Sequence, residues 1–188
     1  VQSDGRGTLS GKVITAVAES PDGALWAGTY GDGVTRIDPA TGATAHFRHQ
    51  PADPLSLSDD RVMAVTAAAD GSVWIGTRNG GLNRLDPSSG NFTRYRHDSS
   101  DPGSIADDSI LAIADGPDGG LWVATRGGLS RLDLATDRFE HFGHDATDPV
   151  SLPGTQIRSL HRGPGGQLWV GTVGGGLKNR RRGHRCEA

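Results

Sequence analysis

Trp26, Trp74, Trp122 and Trp169 stand 48, 48 and 47 residues apart, and they are the only four tryptophans in 188 residues. Each sits in the same phrase. It reads Leu25-Trp26-Ala27-Gly28-Thr29, then Val73-Trp74-Ile75-Gly76-Thr77, Leu121-Trp122-Val123-Ala124-Thr125 and Leu168-Trp169-Val170-Gly171-Thr172. A fixed period of this length marks a tandem array, in which each unit buries its apolar surface mainly against its neighbours.

The second repeat shows the local structure. Val62 to Ala67 predicts a short strand with imperfect alternation, and Asp70-Gly71 predicts a turn. Gly accepts positive φ there, and Asp bonds its own backbone. Ser72 to Thr77 reads as a second strand with Trp74 and Gly76 on one face and Val73 and Ile75 on the other. The turn Arg78-Asn79-Gly80-Gly81 leads to a third strand, Leu82 to Asp86. After Pro87-Ser88-Ser89-Gly90, Asn91 to Arg96 gives a fourth strand carrying Phe92 and Tyr95. Gly and Pro interrupt every would-be helix. Four short antiparallel strands per repeat are the signature of a β-propeller blade. The tryptophans then fill the wedges between blades. Gly28, Gly76 and Gly171 let backbones approach, with Ala124 in their place in the third repeat.

Gly is 29 of 188 residues, about twice its usual share of roughly 7%, and without a collagen period the excess belongs to turns. Apolar content of 34% suits thin sheets better than one thick core. A net charge of -3 offers no basic field for a nucleic-acid backbone. No apolar run reaches the ~20 residues that cross a bilayer as a helix. The lone Cys186 excludes an internal disulfide framework.

The repeats run over about 9–56, 57–104, 105–151 and 152–178, giving a propeller array over 1–178 and a basic, disordered tail over 179–188. The third is one residue shorter at Arg126-Gly127-Gly128. The expected fold is therefore all-β. It comprises blades of four antiparallel strands, three complete and a partial fourth, arranged as an open arc of a larger, about seven-bladed propeller. Arg180 stands where Leu or Ile is expected, and no outer strand is legible in Arg181, Arg182, Gly183, His184 and Arg185. Blade faces left open at the ends would favour self-association.

The stretch from Asp70 through Asp86 fills the pattern Asp-Gly-x-Val/Leu-Trp-x-Gly-Thr-x-x-Gly-Gly-Leu-x-Arg-x-Asp. Asp53-Pro54-Leu55-Ser56-Leu57 and Asp101-Pro102-Gly103-Ser104-Ile105 add the linker. This resembles the two-component regulator propeller repeat, over roughly residues 9–178. The fourth copy departs from the pattern, with Gly165 for the turn Asp and Asn179 for the Arg. The resemblance implies the extracytoplasmic sensor region of histidine kinases, hybrid sensors or diguanylate cyclases. It further implies a periplasmic location and a carbohydrate or other small-molecule ligand. The expected function is ligand sensing without catalysis, with no cofactor and no metal. A protein-interaction scaffold and a lyase-type propeller are the alternatives.

Candidate ligand-binding residues follow each Gly-Thr or Ala-Thr: Tyr30, Asp32, Arg78, Asn79 and Arg126, with Val173 in the fourth repeat. Arg and Asn there can bond sugar hydroxyls, and Tyr30 can stack on a sugar ring. His161 joins them because it replaces Ala18, Thr66 and Ala114 on the innermost strand. His49, His97 and His144 recur with the period, as do His46 and His141, and read as polar loop residues. Asp59-Asp60 and Asp107-Asp108 are paired carboxylates that read as solvated turns, off the spacing of a calcium loop. No Gly-x-Ser-x-Gly, His-Glu-x-x-His or Cys-x-x-Cys occurs. Only Glu19 among the glutamates lies near an inner strand, where it makes a poor lyase pair with His161.

Overall fold

The computed structural model describes residues 13–180 apart from 117–119, 146, 149, 150, 153 and 155, so the basic tail from Arg181 and Cys186 lies outside the described residues. Every regular element among the described residues is a strand. Blade 1 is β1 (Ile14–Glu19), β2 (Leu25–Thr29), β3 (Val34–Ile37) and β4 (Thr44–Phe47). Blade 2 is β5 (Val62–Ala67), β6 (Val73–Thr77), β7 (Leu82–Leu85) and β8 (Phe92–Tyr95). Blade 3 is β9 (Ile110–Asp115), β10 (Leu121–Thr125), β11 (Gly128–Asp133) and β12 (Arg138–Phe142). Blade 4 has β13 (Ile157–Arg162), β14 (Leu168–Thr172) and β15 (Gly176–Arg180). Each sheet is an antiparallel meander in chain order. Blades 1 and 2 form one compact unit, Val1–Tyr95, and blades 3 and 4 a second, Arg96–Ala188.

The expected open arc of a larger, about seven-bladed propeller does not hold. The structure is an all-β propeller of four blades, one per tryptophan. Blade number depends on the twist and tilt between successive sheets. The repeat phrase specifies what fills a wedge, not the angle it subtends.

In the first unit one core joins Trp26, Val34 and Phe47 of blade 1 to Val62, Val73, Ile75, Leu85 and Phe92 of blade 2. Alternation along a strand explains the pairing. The Trp26 and Gly28 face of β2 meets the blade whose β6 turns Val73 and Ile75 towards it, both 0% exposed. Full burial of such a side chain contributes roughly 1.5–3 kcal/mol. Gly28 belongs to this fit, since a Cβ there would lie 2.5 Å from Val62 Cγ1 and 2.9 Å from Val65 Cγ2. The second unit repeats the arrangement, with Trp122, Ala124 and Leu129 of blade 3 against Ile157, Leu168 and Val170 of blade 4.

The Asp-Gly turns brace blades 1 and 2 from within. Asp22 accepts from the Ser20 hydroxyl at 2.5 Å and from Arg36 of β3 at 2.9 Å. Asp70 likewise accepts from Ser72 and, at 2.9 Å, from Arg84 of β7. In blade 1 the Trp26 indole N–H donates to Ser20 Oγ at 3.0 Å. Blade 2 has Ala68 at the position of Ser20, and the buried Trp74 indole N–H has no partner. The two turns are otherwise alike, because Ser20 and Ala68 make the same pair of backbone hydrogen bonds.

Leaving a buried donor unmade costs about 1–3 kcal/mol, and a hydrogen bond regained contributes about 0.5–1.5 kcal/mol. Ser20→Ala is therefore expected to lower unfolding stability by ~1–3 kcal/mol, and Ala68→Ser to raise it by ~0.5–1.5 kcal/mol, in urea titrations.

A second expectation concerns acid. The Ser20 hydroxyl above all, then the Arg36 guanidinium and the Ala24 N–H, hold Asp22 down at about 2. The folded value lies below the unfolded value of about 3.9, so this stabilisation is complete above that pH and is lost as pH falls through the folded value. The urea midpoint should drop between pH 4 and pH 2, and Asp22→Asn should drop less over the same interval.

Candidate functional site

Strand register fixes which end of each blade the candidate residues occupy. Ile14 at the start of β1 lies opposite Thr29 at the end of β2, and Phe47 at the end of β4 lies opposite Val34. The β2–β3 turn, the start of the inner strand and the departing linker therefore share one end. The same pairings recur in blade 2 as Val62 with Thr77 and Leu82 with Tyr95. One backbone hook sets the position in all four blades. The N–H groups of Tyr30, Arg78, Arg126 and Val173 donate to the carbonyls of Val13, Arg61, Ser109 and Gln156.

The first unit brings four of the sequence-derived candidates into one neighbourhood. Arg78 donates to the Tyr30 hydroxyl at 2.7 Å, and its guanidinium carbon lies 5.7 Å from the Tyr30 ring centre. Tyr30 keeps 42% of its surface exposed. Beside them the Asn79 amide donates to the Arg78 carbonyl at 2.7 Å and accepts from Arg61 at 2.9 Å. Gly31 and Gly33, flanking Asp32, both donate to the Asp60 carbonyl at 3.0 Å, and Asp32 accepts from Arg48. Arg126 and His161 belong to the second unit. Both are exposed, and His161 lies opposite Trp169 on β13.

Sequence reading overlooked Arg61, Asp59 and Arg48 as parts of this patch. Arg61 grips Asp59 with Nε at 3.0 Å and a terminal nitrogen at 2.8 Å. Burial pushes the Asp59 carboxyl up, but the Arg61 side chain and N–H and the Asn79 N–H outweigh it and leave the group below the usual range. The signal was present as Asp59-Asp60-Arg61, where a charged triplet interrupts the apolar lead into β5.

The recurring histidines have a structural task. Nδ1 of His49, His97 and His144 lies 2.7, 2.8 and 2.6 Å from the carbonyls of Leu57, Ile105 and Leu152. His46 and His141 bond Thr35 and Ser130 at 3.0 Å. Asp60 and Asp108 accept from the N–H groups of His49 and His97. No group of three or more metal-ligating side chains occurs among the described residues. A cleft of about 490 Å³ opens at the other end of blade 2, between the Asp70 and Asp86 turns, and none of the candidate residues lines it.

The two-component regulator propeller model matches residues 8–31, 56–79, 104–127 and 151–174. The chain belongs to the two-component regulator propeller family. Among solved structures it is similar to the extracellular domain of the hybrid two-component system BT3049 from B. thetaiotaomicron. Identity is 26% and the TM-score 0.78, over 91% of this chain and 23% of that one. The extracellular domain of the one-component system BT4673 from the same organism gives 24% and 0.75, over 94% and 22%. The chain thus spans about a quarter of the length of these structures. No curated protein matches it.

The virginiamycin B lyase of Staphylococcus aureus shares the fold at 17% identity and a TM-score of 0.70, over 99% of this chain and 58% of that one. A streptogramin B lyase shares it at 18% identity and the same TM-score, over 96% and 55%. This corrects the expectation that the chain is no enzyme. The architecture itself carries lyases, so membership of the fold gives no ground for excluding catalysis. A propeller positions loops at the sheet ends, and the chemistry depends on which side chains those loops hold.

Proposed function

We propose that this chain recognises a ligand for a two-component sensor, that the ligand is an oligosaccharide, and that blade 1 and blade 2 receive it at the Tyr30–Arg78 patch. The observation that carries this reading is the exposed Tyr30 ring with Arg78 bonded to its hydroxyl, the Asn79 amide alongside and Asp32 in the same turn region. An apolar ring face next to guanidinium, amide and carboxylate suits a ligand with C–H faces and many hydroxyls. Arg126 and His161 are secondary candidates in their own unit. The 26% identity to an extracellular sensor domain supports a location outside the cytoplasm, and the family resemblance supports the periplasm.

Glycan-array binding tests the proposal. Native protein should select a saccharide class, and Tyr30→Ala and Arg78→Ala should each weaken it at least tenfold, a loss of about 1.4 kcal/mol. Unchanged binding by both variants would remove the patch from the reading. Loss of a protein partner, with no glycan bound, would favour a scaffold.

Self-association through a blade face is a further part of the proposal. On β1, Ile14 is 39% and Val17 63% exposed, whereas Val62, Ile110 and Ile157 at the position of Ile14 are each 0% exposed. Sedimentation should show concentration-dependent association that Val17→Asp reduces. A monomer at every micromolar concentration would contradict it.

A further inference from the structure

The Asp-Gly turns of blades 1 and 2 carry the same groups in a different order. In blade 1 the Ser20 hydroxyl is a bridge. It accepts from the Trp26 indole N–H at 3.0 Å and donates to Asp22 Oδ1 at 2.5 Å, and position 24 is Ala. In blade 2 the pair is exchanged. Position 68 is Ala, and Ser72, at the position of Ala24, donates to Asp70 Oδ1 at 2.6 Å. Asp70 therefore keeps a hydroxyl, while the Trp74 indole N–H, on a side chain 0% exposed, has no acceptor among the described residues. The Ser72 hydroxyl above all, then its N–H and Arg84, holds the Asp70 carboxyl below the usual range against the opposing effect of burial. At neutral pH Asp70 is thus an acceptor only.

The turn that lacks this bridge borders the cleft of about 490 Å³. Asp70, Ser72 and Arg84 form one wall, and the Arg84 guanidinium, bonded to Asp70 at 2.9 Å, lies 5.4 Å from the Trp74 ring centre. Leu55 and Pro87 add apolar surface and Asn91 an amide, and Leu55 is 50% exposed. Blade 3 shows why the cleft is open. Phe92 and Phe139 donate alike to the linker carbonyls of Leu55 and Gly103. In blade 3 Arg138 also crosses to the linker and pairs with Asp101, and its guanidinium fills the space where a Cβ on Gly103 would stand. Blade 2 has Asn91 at the position of Arg138 and Leu55 at the position of Gly103, so no long side chain from β8 spans the gap. The turns, strands and linker that bound the cleft are all described and all lie within the first unit.

We propose that this cleft is a saccharide subsite for a single pyranose ring, separate from the Tyr30–Arg78 patch at the other end of the blade and not resting on it. One ring hydroxyl takes the role that Ser20 has in blade 1. It accepts from the Trp74 indole N–H and donates to the Asp70 carboxylate, while the Ser72 hydroxyl turns aside. Only a group that both accepts and donates fits between them, because an indole N–H donates and a carboxylate accepts. An ammonium cannot accept and a carboxylate cannot donate, so a hydroxylated ligand is selected over either. The C–H face of the ring lies against Leu55 and Pro87, and Asp86 and Asn91 remain for its other hydroxyls. The volume falls in the roughly 300–1,000 Å³ range of small-molecule sites.

Methyl β-glucoside, methyl β-galactoside and methyl α-mannoside serve as probes on the full chain, and the Trp74 indole N–H resonance in proton–nitrogen NMR spectra reads occupancy. At millimolar concentration at least one probe should shift that resonance saturably. Ala68→Ser supplies the bridging hydroxyl from within and should weaken binding at least tenfold. That variant is expected to be more stable than the native chain, so its loss of binding is not a loss of fold. Tyr30→Ala should leave this binding unchanged, which separates the cleft from the patch. No shift of the Trp74 resonance with any probe, or equal binding by Ala68→Ser, would overturn the proposal. Binding lost in Tyr30→Ala but kept in Ala68→Ser would assign the sugar to the patch alone and overturn it as well.

Discussion

The packing of a tryptophan-bearing sheet face against the Val/Ile face of the next sheet is the contact on which the fold depends. A four-stranded sheet of four- to six-residue strands has too little thickness to bury both faces alone. Trp26 solves this on one side by filling the space in front of Val73 and Ile75, and Gly28 keeps the two backbones close enough for the contact. The faces are unlike, so the interface has a direction. In the first unit blade 1 offers its Trp face to the aliphatic face of blade 2, and in the second unit blade 3 does the same to blade 4, as Trp122 and Val170 show.

The linkers are held in shape by their own bonding. Each begins with a histidine whose Nδ1 reaches a buried residue's carbonyl eight positions on, and Gln50, Asp98 and Asp145 then donate to the hydroxyls of Ser56, Ser104 and Ser151. Leu55 and Gly103 go on to accept hydrogen bonds from Phe92 and Phe139, on the outer strands of the blades that follow. An ion pair between Asp101 and Arg138 reinforces the second of these. A loop of about a dozen residues is held by its own polar groups. Of the seven histidines, which invite a reading as ligands, His49, His97 and His144 are accounted for by this internal bonding.

Much of the fold was legible because it obeys two local rules. Period-2 alternation placed the strands of blade 2 to within about a residue of Val62–Ala67, Val73–Thr77, Leu82–Leu85 and Phe92–Tyr95, and Asp-Gly and Gly-Gly pairs placed the turns. Blade number was not legible, because it arises from angles between sheets that no single residue encodes. The geometry of the candidate patch was legible in part. Tyr30, Arg78, Asn79 and Asp32 follow from one repeat position and its neighbours, and the structure gathers them in the first unit. Arg61 escaped notice because its partner Asp59 is close in sequence while Asn79 is eighteen residues away, so its bridging role exists only once β5 and β6 pair. The orphaned Trp74 indole was readable in principle. Aligning Ser20 with Ala68 shows a donor left without its hydroxyl, provided one knows that Ser20 faces the ring.

The variable residues of the patch sit where variation costs the fold least. Tyr30, Arg78, Arg126 and Val173 occupy one position, and what the blade requires of it is a backbone N–H. The hook to the inner strand is therefore indifferent to side chain, whereas the Trp, Gly or Ala, and Thr four, two and one residues earlier are fixed by packing and by the Thr29, Thr77 and Thr125 hydroxyls that bond the turn. Side-chain freedom and stability are thus separated along a stretch of five residues. An array built this way can change that side chain, blade by blade, without reopening the wedges that hold it together. On the proposed reading, that separation lets the turn after each Gly-Thr or Ala-Thr carry a sensor's specificity.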